Sequence, residues 1–217
     1  MTVAIIDYGS GNLRSAAKAF ERAGREHALD MNITVTANAA DVATASHLVL
    51  PGVGAFADCR QGLRQVAGMT EAVLAHITAG KPFLGICVGM QLLADAGLEH
   101  GYCEGFGLIA GEVVALSPAS KADGQDLKIP HMGWNQLQLV GNQHPVFAGL
   151  EEAPFVYFVH GFHFQSVRDQ DVIATTEYGQ TVTAAIGRDN MVGVQFHPEK
   201  SQASGLRLIA NFMHWSP

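Results

Sequence analysis

At 217 residues, with 48% hydrophobic and 15% charged residues, the chain can bury one large core and is too apolar to be disordered. Its net charge of -7 comes without a basic block, which argues against nucleic acid or an anionic membrane as the main partner. The three cysteines, Cys59, Cys87 and Cys103, form no CxxC pair, so a zinc knuckle or disulfide framework is not expected and a reducing compartment suits them.

The start, Met1-Thr2-Val3-Ala4-Ile5-Ile6-Asp7, has no basic stretch and soon meets an acid, so no secretory leader is expected. No apolar run approaches the ~20 residues of a membrane span. The expectation is a soluble, cytoplasmic protein. A strand is predicted over 3–6, ending in Asp7-Tyr8-Gly9-Ser10-Gly11-Asn12. A helix follows, with Leu13, Ala16, Ala17, Phe20 and Ala23 at helical spacing and Gly24 at its end. Gly9-Ser10-Gly11 resembles a broken nucleotide loop, but Arg14 stands where GxGxxG needs its third glycine.

Short strands are predicted over 33–36 and 47–50, the second running into Pro51-Gly52-Val53-Gly54-Ala55-Phe56. Glycines around Val53 at a strand's carboxyl end free the backbone to aim N–H groups at a ligand, as in an oxyanion hole, or simply make a βα turn. Leu63, Val66, Val73, Leu74 and Ile77 predict two helical pieces broken near Gly68, with Thr70 as N-cap and Gly80 closing the second.

Phe83-Leu84-Gly85-Ile86 reads as a buried strand that meets a helix begun by Met90, Leu92, Leu93 and Ala94. Cys87 sits between them with Gly85 and Gly89 two residues away on either side. That spacing allows a strained turn presenting a nucleophile at a helix N-terminus, where the dipole favours thiolate. A small buried cysteine at a strand-helix junction would give the same letters.

The first half therefore alternates strand and helix, the mark of a parallel sheet covered on both faces. The second half reads as strands over 107–116, 133–140, 155–160, 172–176, 182–186 and 192–196, with a polar loop over 117–126 and a last helix over 204–215. No repeat, low-complexity tract or linker appears. The expected fold class is α/β: a single domain over 1–217 with a mixed, mostly parallel central sheet flanked by helices, plus antiparallel strands in the second half.

A thiol nucleophile needs a base, and the base needs an acceptor on its other nitrogen. Among ten histidines, His197 stands out because it follows an apolar strand and would project at the sheet's carboxyl edge, where open α/β sheets bind ligands. Pro198 favours extended backbone before it, so Glu199, two residues on, can reach back to the imidazole. A surface turn with a capping acid would also read His-Pro-Glu.

Gly85-Ile86-Cys87-Val88-Gly89-Met90-Gln91 together with His197-Pro198-Glu199 resembles the class I, triad-type glutamine amidotransferases. The resemblance runs from residue 3 to about 212, in order. It implies the flavodoxin-like amidotransferase fold and hydrolysis of glutamine to glutamate and ammonia through a glutamyl thioester on Cys87. His197 would be the base and Glu199 would orient it. Main-chain N–H groups of Val53 and Val88 would form the oxyanion hole, and Gly52, Gln91, Gly161 and Phe162 would hold glutamine. No metal or cofactor is expected.

Pro51-Gly52-Val53-Gly54-Ala55-Phe56, Pro130-His131-Met132-Gly133-Trp134-Asn135 and Tyr157-Phe158-Val159-His160 are similar to members that feed a separate (β/α)8 cyclase. That cyclase would use the ammonia on a phosphoribosyl nucleotide. Trp134, Asn135 and Tyr157 would face it where ammonia leaves. Activity would be low alone and rise when the nucleotide-loaded cyclase reorients the Gly52-Val53 peptide.

One departure is that Gly161 and Phe162 stand where the family usually has a hydroxyl residue and then Tyr. The other readings are a glutaminase subunit of a different ammonia-using synthase, a peptidase-like hydrolase, or a non-catalytic regulator, which predicts a broken triad. Cys59 and Cys103 read as structural, and His76, His100 and His214 as solvated or capped. His131 and His160 fall in segments that suggest an interface role.

Overall fold

The computed structural model describes residues 1–119, 126–141 and 144–217. Residues 120–125 of the expected polar loop lie outside them. In chain order the elements are β1 (Thr2–Ile6), α1 (Leu13–Glu26), β2 (Asn32–Thr36), α2 (Ala39–Thr44), β3 (His47–Gly52), α3 (Phe56–Gln65), α4 (Met69–Thr78), β4 (Phe83–Cys87) and α5 (Val88–Gln91). There follow β5 (Ala96–Gly97), β6 (Cys103–Glu104), β7 (Gly111–Ala115), β8 (His131–Gln136), β9 (Gln138–Leu139), β10 (Phe155–His160), β11 (Phe162–Ser166), β12 (Val172–Glu177), β13 (Thr181–Arg188), β14 (Met191–Val194) and α6 (Gln202–His214).

The central sheet has eight strands in the order β2-β1-β3-β4-β14-β13-β12-β9. Pairing is parallel from β2 through β14 and antiparallel from there to β9. Strands β1, β3, β4 and β14 are almost wholly buried, which their continuous apolar runs require once both faces are covered. Helix α1 packs against α6 and α2 against α4. Phe20 of α1 meets Phe212 of α6 edge to face, with ring centroids 6.4 Å apart. Two smaller sheets, β10-β8 and β11-β7-β5-β6, cover one end.

Several boundaries differ from expectation, each for a local reason. Helix α1 runs past Gly24 to Glu26, and the left-handed residue beyond it is Ala28, at φ 52°. Helix α2 was not expected; the Asn38 side chain caps it by accepting from the Ala40 N–H at 3.1 Å. Gly68, not Thr70, precedes α4, at φ 70°, and the Thr70 hydroxyl is buried inside the helix.

The helix after Cys87 stops at Gln91. The carbonyls of Leu92, Leu93 and Ala94 instead accept from the N–H groups of Phe106, Leu108 and Gly107 at 2.8–3.0 Å. The strand expected from 107 begins only at Gly111, and the one over 133–140 splits into β8 and β9. Strand β11 lies outside the expected strands, although Phe162-His163-Phe164-Gln165 alternates apolar and polar residues.

Candidate active site

Close backbone packing makes the turn at Cys87. Cys87 holds φ 55° and ψ -114°, a conformation that strains any residue with a Cβ. Its flanking glycines allow it. A Cβ on Gly85 would meet the Gly89 carbonyl oxygen at 2.5 Å, and one on Gly89 would overlap the Leu50 carbonyl. Helix α5 therefore starts directly over β3 and β4, with Cys87 level with Gly52.

His197 arrives from β14, whose Val194 is level with Ile86 of β4. Its N–H donates to the Tyr157 carbonyl at 2.9 Å, tying it to β10. His197 is extended, as expected, but Pro198 opens a single 3-10 turn over Pro198–Lys200 instead of continuing the extension. Glu199 still reaches the ring: its Oε1 lies 2.8 Å from His197 Nδ1, and both side chains are almost wholly buried.

With Nδ1 committed to the carboxylate, His197 Nε2 is buried and without a hydrogen-bond partner among the described residues. Burial pushes the imidazole down, but the neighbouring Cys87 and Glu199 outweigh it and hold it up at about 9. Cys87 and His197 face one cavity of about 190 Å³. Sulfur and ring are neighbours there, although no bond between them is closed.

The Val88 N–H is the first of α5 and has no carbonyl within the helix to reach, so it is free to face the cavity. The Val53 N–H is not aimed at Cys87. It donates to Ser10 Oγ at 3.0 Å, while that hydroxyl donates back to the Val53 carbonyl at 2.6 Å. Cys59 Sγ, 3.4 Å from the same carbonyl, completes the clasp. The expected oxyanion donor is thus turned away, because a hydroxyl from the β1-α1 turn competes for it.

Gly52 does not line the cavity that Cys87 faces. It sits behind the turn, where a Cβ would meet Gly89 N at 2.8 Å and the Tyr8 hydroxyl at 2.9 Å. Gly54, Gln91, Gly161 and Phe162 do line the cavity. Gln91 Nε2 donates to the Phe162 carbonyl at 3.2 Å and to Gln195 Oε1 at 2.9 Å.

Sequence reasoning missed Glu99, His160 as a cavity residue, Gln195 and Ser10. Glu99 lines the cavity mouth, and its Oε2 accepts from the Phe56 N–H at 2.8 Å. Nothing local in its turn marks it. Gln195 did carry a signal: one polar residue inside an apolar run, fully buried.

His131 and His160 are buried, not on a surface. His131 Nδ1 lies 3.0 Å from His160 Nε2, and burial lowers both, to about 4 and about 3. His76 is likewise buried, with Nε2 3.1 Å from the Pro82 carbonyl; of the two expected outcomes, solvated or capped, the first does not hold.

Trp134 is half exposed and meets Tyr157 edge to face at 6.1 Å, while Asn135 Nδ2 donates to the Glu177 carbonyl at 2.9 Å. Among the described residues no group of three or more His, Cys, Asp or Glu side chains could hold a metal, and no helix is long and apolar enough to cross a membrane.

The family model for "Glutamine amidotransferase class-I" matches residues 4–215. The chain is similar to the imidazole glycerol phosphate synthase subunit HisH of Rhodospirillum rubrum, 56% identical with both chains fully covered. It is 55% identical, again end to end, to the subunit of the same name from Mesorhizobium japonicum. A solved glutamine amidotransferase superposes with TM-score 0.70 at 17% identity, covering 98% of this chain and 99% of that one. The structure of PurLQS from Thermotoga maritima gives 0.67 at 16% identity, with 98% and 97% covered. At those identities the likeness is one of fold.

Proposed function

Because this chain belongs to the class-I glutamine amidotransferase family, we propose that Cys87, His197 and Glu199 are its catalytic triad and that residues 1–217 form one amidotransferase domain. The chain is a glutaminase subunit of imidazole glycerol phosphate synthase, an enzyme of histidine biosynthesis, and hydrolyses glutamine to glutamate and ammonia. Nothing favours a different synthase or a non-catalytic regulator.

Cys87 gives its proton to His197 Nε2, and the sulfur attacks the side-chain carbonyl carbon of glutamine. Glu199 keeps the ring in the tautomer whose Nε2 is basic. The same nitrogen then hands its proton to the departing ammonia, leaving a glutamyl thioester. Next it takes a proton from water, which cleaves the thioester. The observation that carries this reading is His197 Nε2 itself, buried, unpartnered and facing the cavity that Cys87 lines.

Gln91 and the backbone of Gly161 and Phe162 hold glutamine's amino acid end, and Glu99 pairs with its ammonium group. The Phe162 carbonyl, held by Gln91 and, at 2.9 Å, by His160 Nδ1, fixes this stretch of main chain without a side-chain hydroxyl, so the missing hydroxyl is tolerated. Val88 supplies one oxyanion donor, and Val53 supplies the second once its peptide turns.

The trigger is a (β/α)8 cyclase with its nucleotide bound, docked on the face of Trp134, Asn135 and Tyr157, where ammonia leaves. A cytoplasmic location suits the three unpaired cysteines. The test is co-purification with the cyclase and a glutaminase assay with and without the nucleotide. Low activity alone and a rise with nucleotide are expected, and both should vanish in Cys87→Ala. Equal activity in the free chain and the loaded complex would defeat the proposed trigger.

A further inference from the structure

Gln195 has no role in the triad, yet it is a fully buried amide whose nitrogen lies 3.6 Å from the Cys87 sulfur. Strand register puts it there: Val194 pairs with Ile86, so the next residue of each chain segment is level with the other. Which end of the amide faces sulfur follows from its neighbours. The Phe162 carbonyl can only accept, so Gln91 turns its NH2 toward it at 3.2 Å. The second hydrogen of that NH2 goes to Gln195 Oε1 at 2.9 Å. Gln195 must then present its own NH2 to Cys87. His160 Nδ1, 2.9 Å from the same Phe162 carbonyl, secures the far end of the chain of bonds.

We propose that Gln195 is a fourth catalytic residue, whose side-chain N–H donates to the Cys87 sulfur whenever that sulfur carries charge. This rests on the reading of Cys87 as nucleophile. The sulfur is charged twice in the cycle. It is first charged when the S–H proton passes to His197 Nε2 and the electron pair stays on sulfur. It is charged again when water has added to the thioester and the C–S bond breaks with its pair returning to sulfur. At both moments Gln195 offers an N–H already in place, and it supplies no proton.

The other groups facing Cys87 are accounted for. His197, backed by Glu199, lines the same cavity, and so do Glu99 and His160. Tyr8 and Cys59 lie behind the oxyanion strand. Of these, only His197 is placed to exchange a proton with the sulfur, and Gln195 is the neutral donor.

The experiment is alkylation of the isolated full chain with iodoacetamide across a pH series, read on the Cys87 peptide by mass spectrometry so that Cys59 and Cys103 do not contribute. Gln195→Met keeps the volume and removes the donor. It should slow Cys87 alkylation about tenfold near neutrality and move the rate profile up by about one pH unit, the scale of a hydrogen bond to an ionised group. Gln195→Glu should slow it further, since a carboxylate both lacks the N–H and sets a second negative charge beside the sulfur. Gln91→Met leaves Gln195 unheld and should give an intermediate loss.

A folded Gln195→Met protein alkylated at the wild-type rate and with the wild-type profile overturns the proposal. If that variant fails to fold, a wild-type profile in Gln91→Met overturns it instead. Absence of glutaminase activity in the wild-type complex would refute the reading of the site as a whole, and would be seen independently of the alkylation rates.

Discussion

Ser10→Ala should switch the chain partly on without its trigger. In the resting arrangement one hydroxyl accepts from the Val53 N–H at 3.0 Å and donates to the Val53 carbonyl at 2.6 Å. The first of these cannot survive when the Val53 N–H turns to the oxyanion, so it stabilises only the off state; the Val53 carbonyl belongs to the next peptide plane and is not carried round with that N–H. A ligand or a mutation shifts such an equilibrium by its differential contribution to the two states. One neutral hydrogen bond contributes ~0.5–1.5 kcal/mol net. The Cys59 thiol, 3.4 Å from the Val53 carbonyl, stays with it in both states and adds nothing to the difference.

The expected outcome is a basal glutaminase rate up roughly tenfold, which corresponds to ~1.4 kcal/mol. The rate of the complex with nucleotide should stay unchanged, because the on state has already lost the Val53 N–H bond to Ser10. The assay is glutamate release by the free chain, and by the complex with and without nucleotide. A folded Ser10→Ala protein with an unchanged or lower basal rate would refute the clasp, and so would a gain of equal size in the loaded complex.

Glu199→Gln removes the charge that helps hold His197 up, and should lower kcat by roughly 10²–10⁴ with little change in KM for glutamine. It also has a stability signature. His197 is raised from 6.5 to about 9, so its stabilisation is fully present below pH 6.5 and is lost as pH rises through about 9. Thermal melts of the wild type should show that decline, and Glu199→Gln should flatten it. Glu99→Gln should raise KM by roughly ten- to a hundredfold with kcat nearly intact, the pattern of a lost ground-state contact to an ion. Gly89→Ala should destabilise the fold by ~1–3 kcal/mol or more in urea unfolding, since its Cβ would overlap the Leu50 carbonyl and backbone cannot easily yield.

Strands β1, β3, β4 and β14 were legible because burial on both faces leaves no polar position in their runs. The turn at Cys87 was legible for a related reason: only glycine fits where α5 crosses β3 and β4, so the constraint appears as letters. Helix α2 and the two-residue strands β5 and β6 were not. Their backbones are fixed by a single cap, or by carbonyls and N–H groups of distant segments, and no short window records those partners. The same limit explains why the helix after Cys87 was read too long. Leu92, Leu93 and Ala94 have good helical spacing, and loop 106–109 overrides it by taking their carbonyls.

By itself the chain's chemistry determined which atoms are available: one thiol between two glycines, one imidazole at a strand's end, one carboxylate two residues on. These are properties of side chains and of local spacing, and they survive in any fold that keeps the segments intact. Only the tertiary structure decided which partner each polar atom takes. It turned the Val53 N–H to Ser10, set Gln195 against the sulfur, moved Gly52 behind the turn and brought Glu99 to the cavity mouth. Hydrogen bonding is a competition among groups that folding brings together, and the winner depends on distances that sequence order does not contain.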